Sequence, residues 1–150
     1  MLVELRKARI PSVLGCIAEH YWFVLHLSGG AKERWEVWQD AGAGPVSWGH
    51  VHLNLMAYDA GVGNGPSRVE KEWRGDEAER IADVLRDPAS YPWCGRYLVW
   101  PGPNSNTYVN WVLLKSGVQY ELGFTAWGKA FALVKPPWTL HEISERGRGR

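Results

Sequence analysis

Residues 97–111 read YLVWPGPNSNTYVNW, and the architecture of the 150-residue chain follows from this stretch. Pro101-Gly102-Pro103 breaks any extended or helical run sharply. Asn104-Ser105-Asn106-Thr107 follows, and Asn or Ser directly before an apolar run is a natural helix N-cap. The next residues, 108–115, are apolar enough for a buried helix. Trp111 and Leu114 extend its apolar surface. The proline elbow thus delivers Ser105 to the first turn of that helix, where free N–H groups and the helix dipole favour negative charge. A cysteine at such a place becomes a thiolate readily. A serine hydroxyl is a far weaker acid and needs an adjacent general base.

Upstream, residues 14–27 (LGCIAEHYWFVLHL) are rich in β-branched and aromatic residues and end at the turn Ser28-Gly29-Gly30, which predicts a long strand. Residues 33–39 (ERWEVWQ) alternate tryptophans with charges and complete a hairpin. Residues 46–55 (VSWGHVHLNL) read as a third strand of an antiparallel meander. The glycines of residues 59–66 lack the strand-to-helix context of a dinucleotide fingerprint and carry no phosphate role. Asp76 with Glu79 three residues later forms a capping-box pattern, and Ala78, Ile81, Ala82 and Leu85 fall on one helical face before Asp87-Pro88 ends it. Residues 91–100 are expected to be extended, residues 119–122 a short strand, and residues 141–150 a flexible tail. The fold class is α+β: an antiparallel sheet of roughly four to six strands packed on the Ser105 helix, with the Asp76 helix outside. One domain spans 1–150, with its core at about 11–140.

Composition narrows the function. With 17 Lys+Arg against 16 Asp+Glu, net charge is +1, which gives no global field to hold nucleic acid or an acidic membrane. Cys16 and Cys94 are far apart, with neither metal-ligand nor disulfide-framework spacing, and the sequence leaves a single bridge between them open. The N-terminal residues carry Glu4, Arg6, Lys7 and Arg9, unlike a signal peptide, and no uncharged run approaches the length of a membrane helix. A cytoplasmic protein is expected, with a small-molecule, peptide or lipid-like substrate and no nucleic-acid partner. Ten tryptophans are expected mainly in the core, with Trp22, Trp48 and Trp100 as candidate walls of a groove.

Two resemblances enter at these residues. The Tyr97, Trp100-Pro101-Gly102-Pro103-Asn104-Ser105-Asn106-Thr107 core resembles the domain of unknown function 3750 family of bacterial proteins, with Tyr108 replacing that family's phenylalanine. The likeness takes in His20, Trp22, Phe23 and Val24, then Trp35-Glu36-Val37-Trp38, and ends near Ala126, Gly128 and Lys129. It implies no established activity. More distantly, an early strand histidine and a late Asn-nucleophile motif at a helix start resemble circularly permuted papain-like domains. These include the NlpC-like, lecithin–retinol acyltransferase-like and PPPDE-type groups. That likeness implies a permuted papain-like fold and a hydrolase or acyltransferase acting on an amide or ester. Here Ser105 stands where those enzymes use cysteine.

On this reading Ser105 is the nucleophile and His20 its general base, held by a polar partner such as His50, Glu36 or Asn54. Asn104 or Asn106 would supply an oxyanion donor beside a backbone N–H of the first helical turn. His50 and His52 lie two apart on an expected strand, a spacing that two metal ligands can share. No third ligand has a diagnostic spacing, so neither metal nor other cofactor is expected. The rival reading is a non-catalytic module that binds a peptide, glycan or lipid on the same scaffold. There His20 is a hydrogen-bonded core residue, and Asn104 and Ser105 only cap a helix.

Overall fold

The computed structural model describes residues 1–11 and 18–136. The strands are β1 (Leu2–Arg9), β2 (Glu19–His26), β3 (Lys32–Val37), β4 (Ser47–Trp48), β5 (Val51–Leu53) and β6 (Arg68–Arg74), and the helices are α1 (Gly75–Leu85) and α2 (Ser105–Ser116). They form one antiparallel six-stranded sheet in the order β4-β5-β3-β2-β1-β6, so the α+β reading holds. The expected hairpin is present, with Phe23 opposite Trp35 and His26 opposite Lys32. Residues 14–17 of the expected long strand, including Cys16, and the expected tail at 141–150 lie outside the described residues.

β2 is buried along almost its whole length, because both faces of the sheet are covered. On one face Tyr21, Phe23 and Leu25 pack with Trp35, Val37, Ile81, Leu85 and the α2 residues Tyr108, Val109 and Val112. On the other, Ala8, Trp22 and Val24 pack beneath Tyr58 and Val62 of the loop before β6. α1 buries Ala78, Ile81, Ala82 and Leu85, the face its spacing predicts. α2 is buried around most of its circumference, as a helix wedged between a sheet and loops must be.

Several expectations are corrected. β1, a strand the sequence pattern does not predict, lies inside the sheet between β2 and β6, and its Val3 and Leu5 are fully buried. The third strand is broken into β4 and β5. Gly49 turns there at φ 58°, and an added Cβ would sit 2.2 Å from the Cys94 carbonyl oxygen. The His50 N–H donates to that same oxygen at 2.7 Å. Asp76 does not cap α1, because the helix begins a residue earlier and Arg74 occupies the N-cap. Asp76 still lies in the first turn, where the helix dipole favours its charge. Residues 91–100 are turns, not a strand; they seat Tyr91 and Trp93 in the core and leave Val99 and Trp100 exposed. Residues 119–122 form no strand.

Candidate active site

The first turn of α2 is held by a dense set of hydrogen bonds. Asn104 Oδ1 accepts from the N–H groups of Asn106 (3.0 Å) and Thr107 (3.2 Å), while Thr107 Oγ1 accepts from the Asn104 N–H at 3.0 Å. This is a reciprocal capping box, built from Asn and Thr. Asn104 Nδ2 donates to the carbonyls of Val99 (2.9 Å) and Trp127 (3.1 Å), tying the elbow to the chain beyond the helix. Asn106 reaches the sheet: its Oδ1 accepts from the Tyr21 N–H at 3.2 Å, and its Nδ2 donates to the carbonyls of Glu19 and Trp127, both at 2.9 Å. Asn104 thus ties the helix start to the flanking loops, and Asn106 ties it to β2.

Ser105 follows as the first helical residue and is itself buried. Ser105 and His20 both line one cavity of about 230 Å³. Ile10, Val62 and Val99 supply its apolar wall, Trp38 and Tyr97 its aromatic wall, and Gln39 a polar rim. No hydrogen bond joins Ser105 to His20. His20 lies on the face of β2 that carries Trp22 and Val24, away from the body of α2. Both residues border the cavity because Asn106 ties the helix start to the Glu19–Tyr21 end of β2.

His20 is held on three sides. Its ring stacks on Trp22 with centroids 5.4 Å apart and meets Trp38 edge-on at 5.5 Å. Its Nε2 lies 3.0 Å from Glu36 Oε2. Of the three partners considered, Glu36 is the one that holds it. Asn54 instead accepts from the Arg34 N–H at 2.7 Å. With Nε2 engaged, Nδ1 is the nitrogen left for the cavity. Glu36 has no exposed surface. Burial pushes its carboxyl up, but the hydrogen bond and charge of His20, and then of Arg34, outweigh that and hold it below the usual carboxylate range.

The other candidates are placed apart. His50 sits in the turn between β4 and β5, where its Nδ1 donates to the Trp38 carbonyl at 2.9 Å and its ring packs 5.7 Å from Tyr97. It touches neither His20 nor Ser105. His52 pairs with Ser47 Oγ (2.7 Å) through Nδ1 and with the Asp40 carbonyl (3.1 Å) through Nε2, and burial depresses its pKa. Among the described residues no group of three or more His, Cys, Asp or Glu is arranged to hold a metal. Trp22, Trp48 and Trp100 do not share a groove. Trp22 is fully buried, with its indole N–H on the Tyr58 carbonyl. Trp48 stacks on Trp35 at 5.7 Å. Trp100 is exposed and faces Trp127 at 5.9 Å in a second, larger cavity of about 910 Å³, lined also by Phe124, Phe131 and Val134. Trp38 and Tyr97 fall in stretches that carry the family resemblance, but no local pattern in the sequence assigns them or Gln39 to a cavity.

This arrangement of an antiparallel sheet and a capped buried helix is that of an α+β protein. The chain belongs to the family described as Protein of unknown function (DUF3750), which matches residues 1–131. No curated protein and no solved structure matches it. No helix among the described residues is long and apolar enough to cross a membrane.

Proposed function

We propose that this chain is a hydrolase or acyltransferase that acts on an amide or ester through Ser105, His20 and Glu36. The observation that carries the reading is a single one. Ser105 and His20 line the same small cavity, while the far nitrogen of His20 is held by a buried carboxylate. The order of the parts, strand histidine first and capped nucleophile helix later, resembles that of the permuted papain-like domains, with serine in place of cysteine.

In the proposed reaction Ser105 Oγ attacks the carbonyl carbon and its proton passes to His20 Nδ1. The carbonyl π electrons move to oxygen. The N–H groups of Asn106 and Thr107 are already bonded to Asn104, so the Ser105 N–H is the backbone donor left in the first turn for that oxygen. Collapse expels an amine or alcohol, which takes the proton from His20, and leaves an acyl-Ser105 ester. Water or an acceptor alcohol then repeats the exchange in reverse. Asn104 and Asn106 serve this scheme by positioning the helix, not by donating to the oxyanion. The cavity lining is largely apolar and has no Lys, Arg, Asp or Glu, which suits a small neutral acyl group.

A fluorophosphonate probe tests the reading. Labelling of the parent at Ser105, lost in both S105A and H20A, supports it; a parent that stays unlabelled, or labelling that persists in S105A, contradicts it. A second reading, a non-catalytic binder of apolar ligands, is favoured by the larger aromatic cavity between Trp100 and Trp127. It predicts tryptophan-fluorescence changes on ligand addition that S105A leaves unchanged.

A further inference from the structure

Arg34 is a fully buried arginine one strand away from His20. Its Nε lies 2.7 Å from Glu36 Oε1, an ion-pair contact outside hydrogen-bond angles, and its Nη2 donates to Glu36 Oε2 at 2.8 Å. Its Nη1 donates to the carbonyl of Ala57 at 2.8 Å and also to that of Ala60. Its guanidinium lies over the Trp22 ring, 4.1 Å from the centroid. A buried ion pair adds little stability over an apolar pair of equal volume, so folding alone gives weak reason for it.

The shared oxygen suggests the reason. Glu36 Oε2 meets both Arg34 Nη2 and His20 Nε2. An ionised carboxylate can only accept, which obliges His20 Nε2 to carry its hydrogen and leaves the lone pair on Nδ1. A protonated Glu36, the form that burial favours, would donate to Nε2 and send the imidazole hydrogen to Nδ1. Nδ1 could then take no proton from Ser105. When His20 is neutral, as a general base must be, Arg34 is the cation paired with Glu36. His52 faces Glu36 from β5, but both its ring nitrogens are engaged elsewhere.

We propose that Arg34 is a positioning residue of the Ser105 site. By keeping Glu36 an acceptor it holds His20 as the tautomer whose lone pair, on Nδ1, serves the cavity. The same guanidinium anchors the loop that brings Val62 to the cavity wall. The catalytic meaning of this assignment rests on the Ser105–His20 reading; the tautomer itself does not.

The test is long-range ¹H–¹⁵N correlation of histidine-labelled protein at roughly two pH units above the usual histidine range. The parent should show a protonated Nε2 and a bare Nδ1 at His20. R34M should shift the population toward Nδ1–H, and R34K, which keeps the cation, should restore the parent signature. Where R34M does not fold, R34Q, which retains donors but no charge, carries the same comparison. A parent His20 with its hydrogen on Nδ1 overturns the proposal, as does a folded R34M or R34Q with the parent signature. The expected tautomers beside an S105C thiol indifferent to His20 would sink the catalytic reading and leave the assignment of Arg34 standing.

Discussion

Replacing Asn104 separates capping from the wider anchoring that the site requires. The Asn104 side chain works in both directions: Oδ1 accepts from two helix N–H groups, and Nδ2 donates to the carbonyls of Val99 and Trp127. Loss of an N-cap costs about 1 kcal/mol, and each buried carbonyl bond about 0.5–1.5 kcal/mol. The Trp127 carbonyl keeps a second donor in Asn106, which puts its loss at the lower end. N104A should therefore cost about 2–3 kcal/mol, a fall of about 1 M in the urea midpoint at unchanged slope. The informative variant is N104D. Aspartate caps a helix as well as asparagine does. Its second oxygen, however, would face two carbonyl oxygens and has no hydrogen to give. N104D should be at least as destabilised as N104A by urea denaturation followed by circular dichroism. An N104D protein as stable as the parent would refute the claim that the amide ties the elbow and residue 127 to the helix start.

Further outcomes are expected. Trp111→Ala should cost roughly 3–5 kcal/mol in the same assay, because Trp111 is only 9% exposed and packs against Tyr91 and Tyr108 at ring separations of 5.2 and 6.2 Å. A parent-like midpoint would place α2 at the surface. The lowered pKa of Glu36 means that its share of stability is full above the unfolded value of about 4.3 and is lost as pH falls through the folded value. The stability gap between parent and E36Q should accordingly narrow on acidification; a gap that widens would contradict the buried, ionised carboxylate. Chelator should leave the melting temperature unchanged, since His50 and His52 spend ring nitrogens on Trp38, Ser47 and Asp40. A stoichiometric transition metal in purified protein would contradict this.

The parts legible in the sequence were those with strong local signals. The Pro-Gly-Pro elbow, the Asn cap and the apolar run gave α2. The Gly-Gly turn between aromatic runs gave the β2–β3 hairpin, and spacing gave the buried face of α1. β1 was missed because Glu4 and Lys7 look solvent-facing, yet both are buried in ion pairs, Glu4 with Arg6 and Lys7 with Glu19 and Glu70. β6 was missed because RVEKEWR turns most of its charges to solvent, as an edge strand does, and buries only Trp73. The pairing of His20 with Glu36 was one of three options, and only strand register could choose among them. The role of Arg34 was invisible, because in sequence a charge between Glu33 and Trp35 reads as the solvent side of a hairpin. Asn104 and Asn106 had the right location for oxyanion donors; what the sequence did not reveal is that the folded chain consumes their hydrogens.

The central claim is that Ser105 and His20 act as nucleophile and base, and a thiol placed at Ser105 reports on it directly. S105C should be alkylated by iodoacetamide near pH 6 roughly tenfold faster than a free thiol. A helix N-terminus beside His20 can lower a thiol pKa by about two units, and weaker thiolate nucleophilicity offsets part of that gain. Cys94 is an internal control, half-buried with its thiol pushed up by burial, and should react slowly. The rate at residue 105, followed by mass spectrometry, should fall to that of a free thiol when His20 becomes alanine. A thiol at residue 105 that reacts no faster than a free one, with no dependence on His20, would contradict the account.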